Sequence, residues 1–176
     1  LELLGREGLV WVAGAITALF AVSGIGGTAE VERISKSAWG ASPARILLWA
    51  SLGTSLSAVG VGVVGLVSSG PHPAAFVLFV VLLGVYGFLD GIIRPVRQAY
   101  LNEHIPSAQR ATVLSFDSFF ADIGAVGGQL GLGYLAQNVS KAAAYAVGGL
   151  IHLLTVPLYG RTGTASAPRS TEGSRD

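Results

Sequence analysis

Five stretches of this chain are each long and apolar enough to cross a lipid bilayer as a helix, and that constrains the fold more than any other feature. They run Leu9–Gly27, Ile46–Ser68, Ala74–Ile93, Thr112–Ala136 and Ala142–Tyr159. Crossing the hydrocarbon core takes about 20 residues of helix. Lipid offers no hydrogen bonds, so an open strand of this length would leave its backbone unpaired. A β-barrel would show alternating segments of about ten residues, and these runs do not alternate. The expected fold class is therefore all-α, a polytopic membrane helix bundle of about five transmembrane helices over residues 1–161.

Composition agrees. Charged residues make up 12% of the chain and hydrophobic residues 51%, with a mean hydropathy of +0.61. A soluble domain carries about a quarter of its residues charged, so the outer surface here is expected to meet membrane lipid. No basic stripe on a soluble face is present, which excludes nucleic acid as a partner. The chain has no Cys, hence no disulfide, thiolate metal site or cysteine nucleophile. It has no Met either, and it opens on Leu1 without a signal-peptide pattern. A piece of a longer protein is the expectation.

The connections differ in kind. Ser69-Gly70-Pro71-His72-Pro73 and Gln137–Lys141 read as tight turns, whereas Thr28–Arg45 and Arg94–Ala111 read as longer polar loops. Residues 162–176, rich in Ser, Thr, Gly and Pro, read as a disordered tail. Nine of the eleven basic residues (Arg33, Lys36, Arg45, Arg94, Arg97, Arg110, Arg161, Arg169, Arg175) fall in the two long loops and the tail, and only Arg6 and Lys141 fall on the other side. Positive charge is retained inside, so the loops and the C-terminus are expected in the cytoplasm, in a multi-pass protein of the cell membrane. Trp11, Trp49 and Tyr159 lie near span ends, where amphipathic rings suit the headgroup layer.

The fourth span carries the most chemical information. At 100° per residue, Ser115, Ser118, Asp122 and Gln129 share a sector of about 60°. Gly124, Gly127, Gly128 and Gly131 lie roughly opposite, in small-xxx-small spacing that lets a neighbouring helix approach closely. Asp122 sits about ten residues in, near mid-membrane at 1.5 Å per residue. A carboxylate there costs on the order of 2.5–3.5 kcal/mol on insertion scales. It is either a proton-carrying or substrate-contacting acid, or a structural hydrogen bond to a neighbouring helix. Asp117, on the glycine side, reads as structural. Asp90 and Arg94, four apart, are placed for an ion pair. His152 has no acidic neighbour in sequence and reads as a polar residue hydrogen-bonded across helices. Ser51, Gly53, Ser55, Ser57, Gly60, Gly62 and Gly65 give the second span the pattern of a packing helix. Asn138-Val139-Ser140 matches a glycosylation sequon close to the membrane. No HExxH, GxSxG or GxxxxGK[ST] pattern occurs, so no catalytic constellation, metal site or cofactor is expected.

The stretch from Arg94-Pro95-Val96-Arg97-Gln98-Ala99-Tyr100-Leu101-Asn102-Glu103-His104-Ile105-Pro106 through Ser107–Ser115 resembles the loop between the tenth and eleventh helices of major facilitator superfamily transporters. In bacterial drug-efflux-like members a Tyr-x-Asn, a Pro and an Arg-Ala-Thr precede the eleventh helix; here they are Tyr100-Leu101-Asn102, Pro106 and Arg110-Ala111-Thr112. The resemblance implies that the five spans are helices eight to twelve of a twelve-span carrier, whose missing N-terminal half is then a partner. It implies secondary active transport of a small-molecule substrate by alternating access, with proton-coupled efflux as one form of it. Tyr86 and Asp90 would line the path, beside the polar face of Asp122, Ser118, Ser115 and Gln129. Arg94, Arg97 and Arg110 would act as cytoplasmic gate or anchor residues, where they can also hold helix ends or anionic lipid. Pro106 ends one helix and Ser107 is placed to cap the next. The alternative expectation is a non-transporting membrane assembly or scaffold protein.

Overall fold

The computed structural model describes residues 5–37, 42–68, 70 and 72–165, with side chains from residue 10 to residue 160. It is helical throughout, and among the described residues there is no strand. The elements are α1 (Gly5–Lys36), α2 (Pro43–Val67), α3 (Pro73–His104), α4 (Arg110–Asn138), α5 (Lys141–Leu153) and α6 (Val156–Ala165). The expected disordered tail falls outside the described residues from position 166 onward, and residues 162–165 close α6.

Four segments are long and apolar enough to cross a membrane: Val10–Lys36, Pro43–Val67, Pro73–His104 and Lys141–Gly160. These apolar helices fit a multi-pass membrane protein. The expected fourth span, α4, is long enough at 29 residues. Asp117, Asp122, Gln129 and its glycines make it less apolar than the other four. The last span is not one straight helix. It breaks at Leu154 and Thr155, where the backbone amides bond back three residues, to Ile151 O at 3.1 Å and His152 O at 3.0 Å. Pro157 gives the reason: it has no amide proton for the Leu153 carbonyl, and its ring clashes with a straight helix there.

Both long polar loops turn out to be mostly helix. α1 runs nine residues past Gly27, because its last turns carry the pairs Glu30–Arg33 at 3.1 Å and Glu32–Lys36 at 2.6 Å on one helical face. α3 continues to His104 straight through Pro95. A proline inside a helix leaves the carbonyl four residues back without its donor. That carbonyl belongs to Gly91, and Thr28 Oγ1 of α1 reaches it across the helix pair at 3.0 Å, sharing its one proton with Gly24 O of its own helix at 3.1 Å. The orphan made by Pro95 is thus satisfied from outside the helix. α3 ends where Ile105 must be extended to precede Pro106. Ser107 does not cap the next helix: the residue at the N-cap of α4 is Gln109, with no side-chain cap bond. At the start of α5 the Ser140 hydroxyl does cap, accepting from the Ala143 amide at 3.0 Å. That bond occupies the last residue of the sequon-like triplet.

Small residues set the packing. A Cβ built on Gly91 would lie 2.1 Å from Gly24 O, and one on Gly27 would overlap Phe88 O. α1 and α3 therefore touch backbone to backbone, which only glycine permits. α2 packs on α3 and on α5. Gly62 and Gly65 receive Ala146 and Ala142 of α5, and Gly149 of α5 fits against Val59 and Ser55. Ser51, Ser55 and Ser57 of α2 are buried, so the second span is a packing helix, as its pattern implies. α4 leans chiefly on α5 and buries none of its residues.

Buried Leu47 and Ala50 of α2 join Ile92 and Val96 of α3, with Val31 and Ile34 of α1 and Tyr159 of α6 packed around them. This cluster ties the late part of α1, the start of α2, the late part of α3 and the start of α6 to one side of the bundle. Arg33, Lys36, Arg45, Arg94 and Arg97 consequently gather at that end.

Candidate functional site

Between α1, α3 and α5 lies a cavity of about 700 Å³. Ile16, Thr17 and Phe20 come from α1, Leu83 and Tyr86 from α3, and Ala144, Tyr145, Gly148, Gly149, Ile151 and His152 from α5. Ala58 of α2 and Leu132 of α4 close it, and Thr155 sits at its edge where α5 breaks. Local sequence explains the space. Gly148 removes a side chain from the wall facing Leu132, while Gly149, fitted against Val59 and Ser55, lets α5 sit close on α2. The Phe20 and Tyr86 rings face each other with centroids 5.7 Å apart and planes tilted by 33°. No charged side chain lines the cavity.

His152 is fixed from the opposite side of α5. Its Nδ1 lies 2.9 Å from Ser55 Oγ of α2. Ser55 is fully buried, and its hydroxyl donates to Ser51 O at 2.8 Å. A serine hydroxyl has one proton. With both contacts made at once, the Ser55–His152 bond must take its proton from the ring, which assigns the hydrogen to Nδ1 and leaves Nε2 as an acceptor. His152 is thus the cross-helix polar residue its sequence setting implied, and it also faces the cavity. Ser51 Oγ, buried one turn earlier on α2, has no partner among the described residues.

The residues singled out in the sequence separate into three groups. Tyr86 lines the cavity. Asp90, one turn further along α3, is outside the lining and pairs with Arg94, whose Nε lies 3.1 Å from Asp90 Oδ2. Arg94 is largely exposed. Ser115, Ser118, Asp122 and Gln129 are all exposed on α4, away from the cavity. Asp122 and His152 are not bonded to each other.

Asp117 instead binds Arg97, an ion pair that joins α4 to α3 where both helices approach the basic end of the bundle. Arg97 is therefore tied into the bundle, while Arg110 stands exposed at the first residue of α4. Gly124, Gly127, Gly128 and Gly131 have nothing within 4 Å of a built Cβ. No described helix packs on them, because α4 meets α5 through Leu132, which reaches Gly148, and not through its glycine face.

His152, Tyr145 and Phe20 were not among the sequence candidates for the path. The available signal was weak: a histidine and a tyrosine, seven residues apart, on one face of the last apolar run. Among the described residues no three His, Asp or Glu side chains gather where a metal ion could sit. Comparison with protein-family models, with curated proteins and with solved structures gives no match to this chain.

Proposed function

We propose that this chain is part of a secondary transporter that carries a small molecule across the plasma membrane by alternating access, in the outward direction. The observation that carries the reading is the cavity between α1, α3 and α5, apolar-walled, edged by fixed polar groups and of a size that takes an organic molecule. Two features support it. The break at Leu154–Thr155 lies at the cavity wall, where a change in helix angle alters access. The basic residues gathered at one end of the bundle favour a cytoplasmic loop side with the C-terminus on the same face. The sequence resemblance of the α3–α4 connection to major facilitator carriers points the same way, with the remaining half of the carrier as the partner that completes the path.

The test is flux. In liposomes holding the full-length protein, an imposed proton gradient is expected to drive movement of neutral apolar solutes, and Leu132→Trp, which fills the cavity, is expected to stop it. No gradient-dependent flux across a broad solute panel refutes transport. Flux that survives Asp122→Asn removes Asp122 from the coupling path.

A second reading, an assembly or scaffold protein, is favoured by one observation. α4 presents both its glycine face and its polar face to its surroundings, held among the described residues chiefly by α5 and by the Arg97 pair. A flux-negative protein that copurifies with a fixed stoichiometry of another membrane chain would establish that reading.

A further inference from the structure

We infer that the cavity takes a neutral, largely apolar molecule bearing a hydrogen-bond donor, seated with that donor on Nε2 of His152. This rests on reading the cavity as the substrate site, and it names the class of substrate.

The argument counts protons. Five lining residues carry polar side-chain atoms: Thr17, Tyr86, Tyr145, His152 and Thr155. Thr17 Oγ1 donates to Ala13 O at 2.9 Å, and Thr155 Oγ1 donates to His152 O at 2.7 Å. Each hydroxyl has spent its only proton on its own helix and presents only lone pairs to the cavity. His152 has its proton committed to Ser55 through Nδ1, which leaves Nε2 as an acceptor on the ring edge turned away from α2. Three of the five polar groups are thus held as acceptors. The tyrosine hydroxyls rotate and serve either way. A ligand that only accepts finds no fixed donor in the wall, whereas a ligand that donates finds three acceptors.

Charge is excluded on a separate ground. Ile16, Phe20, Leu83, Leu132 and Ile151 supply apolar walls. Asp90, the acid nearest in sequence to the lining, is held by Arg94. A cation entering here would lose its hydration and meet no carboxylate in the lining, the nearby Asp90 being paired with Arg94.

The experiment uses the full chain in lipid nanodiscs, with empty nanodiscs as the blank, and three probes of one shape: 4-phenylphenol, 4-methoxybiphenyl and 4-phenylbenzylammonium. One neutral hydrogen bond corresponds to about a fivefold difference in affinity. The phenol is therefore expected to bind about fivefold tighter than its methyl ether, and the ammonium weakest. His152→Phe is expected to erase the phenol's advantage while the ether's affinity stays. Ser55→Ala, which frees the ring to move its proton to Nε2, is expected to shrink that advantage. If either substitution prevents folding, the phenol-to-ether ratio in the unaltered chain still decides. Equal binding of phenol and ether, or tightest binding of the ammonium, overturns the ligand class while leaving the cavity as a substrate site. Absence of saturable binding of all three, or binding indifferent to Leu132→Trp, overturns the cavity reading as well.

Discussion

Replacing one glycine by alanine has opposite consequences on α3 and on α4, and the geometry gives both signs. A Cβ on Gly91 would meet Gly24 O at 2.1 Å, Gly24 C at 2.8 Å and Gly24 Cα at 2.9 Å, all backbone atoms of α1. No side chain can rotate out of the way. Restoring ordinary contact at 3.4 Å demands that α1 move by about 1.3 Å from α3. Overpacking of this kind costs about 1–3 kcal/mol. The same movement stretches the Thr28 bond to Gly91 O, now 3.0 Å, out of hydrogen-bond range. A cross-helix bond in a membrane averages about 0.6 kcal/mol, and here no other donor replaces it, because Pro95 has none. Gly91→Ala is therefore expected to lower stability by about 2–4 kcal/mol. Gly128 on α4 has nothing within 4 Å of a built Cβ. Alanine there removes glycine's excess backbone freedom at no steric cost and is expected to raise stability by about 0.5–1 kcal/mol. Reversible unfolding in mixed micelles, titrated with SDS and followed by circular dichroism, reads both. A Gly91→Ala protein unfolding at the same SDS fraction as the parent would refute the α1–α3 contact. A Gly128→Ala protein less stable than the parent would show that the glycine face of α4 is covered.

Other outcomes follow from single contacts. Thr28→Val is expected to cost about 0.6 kcal/mol in the parent and nearly nothing in a Pro95→Ala background, where an amide proton returns to Gly91 O; equal costs in both backgrounds would break the link between the two residues. The Arg97–Asp117 pair joins α3 to α4 with both side chains partly exposed. A double-mutant cycle of Arg97→Gln and Asp117→Asn is expected to give a coupling of about 0.2–1 kcal/mol that shrinks as salt rises. A coupling of zero at low salt would mean that α4 is held by α5 alone.

The helical character, with helices long and apolar enough to cross a membrane, was legible in the sequence, because length and apolarity are properties of each segment alone. So were features set by spacing along one helix. Asp90 and Arg94, four apart, do pair. The serine and glycine run of α2 does pack. The ends of the expected spans were less legible. Glu30, Glu32, Arg33 and Lys36 read as loop residues by polarity, yet they extend α1 through their own ion pairs. Residues from Arg94 onward read as a polar loop, yet α3 passes through Pro95 to His104, with Thr28 of α1 donating to the carbonyl that Pro95 leaves without its amide.

Which faces meet was decided only in three dimensions. Helical periodicity places Gly124, Gly127, Gly128 and Gly131 on one face, but it cannot say whether another helix stands opposite. The glycines at 24, 27 and 91 make the close crossing, while those of α4 lie open. The Ser55–His152 bond joins residues 97 apart, and Arg97–Asp117 joins residues 20 apart across a turn. The cavity exists only where α5 stands off from the closely packed α1–α3 pair. The sequence alone determined a helical chain suited to lipid, since solvation acts on each segment separately. Tertiary structure decided which polar groups face the cavity and which protons are already spent, since hydrogen bonds between helices depend on how the segments are placed together.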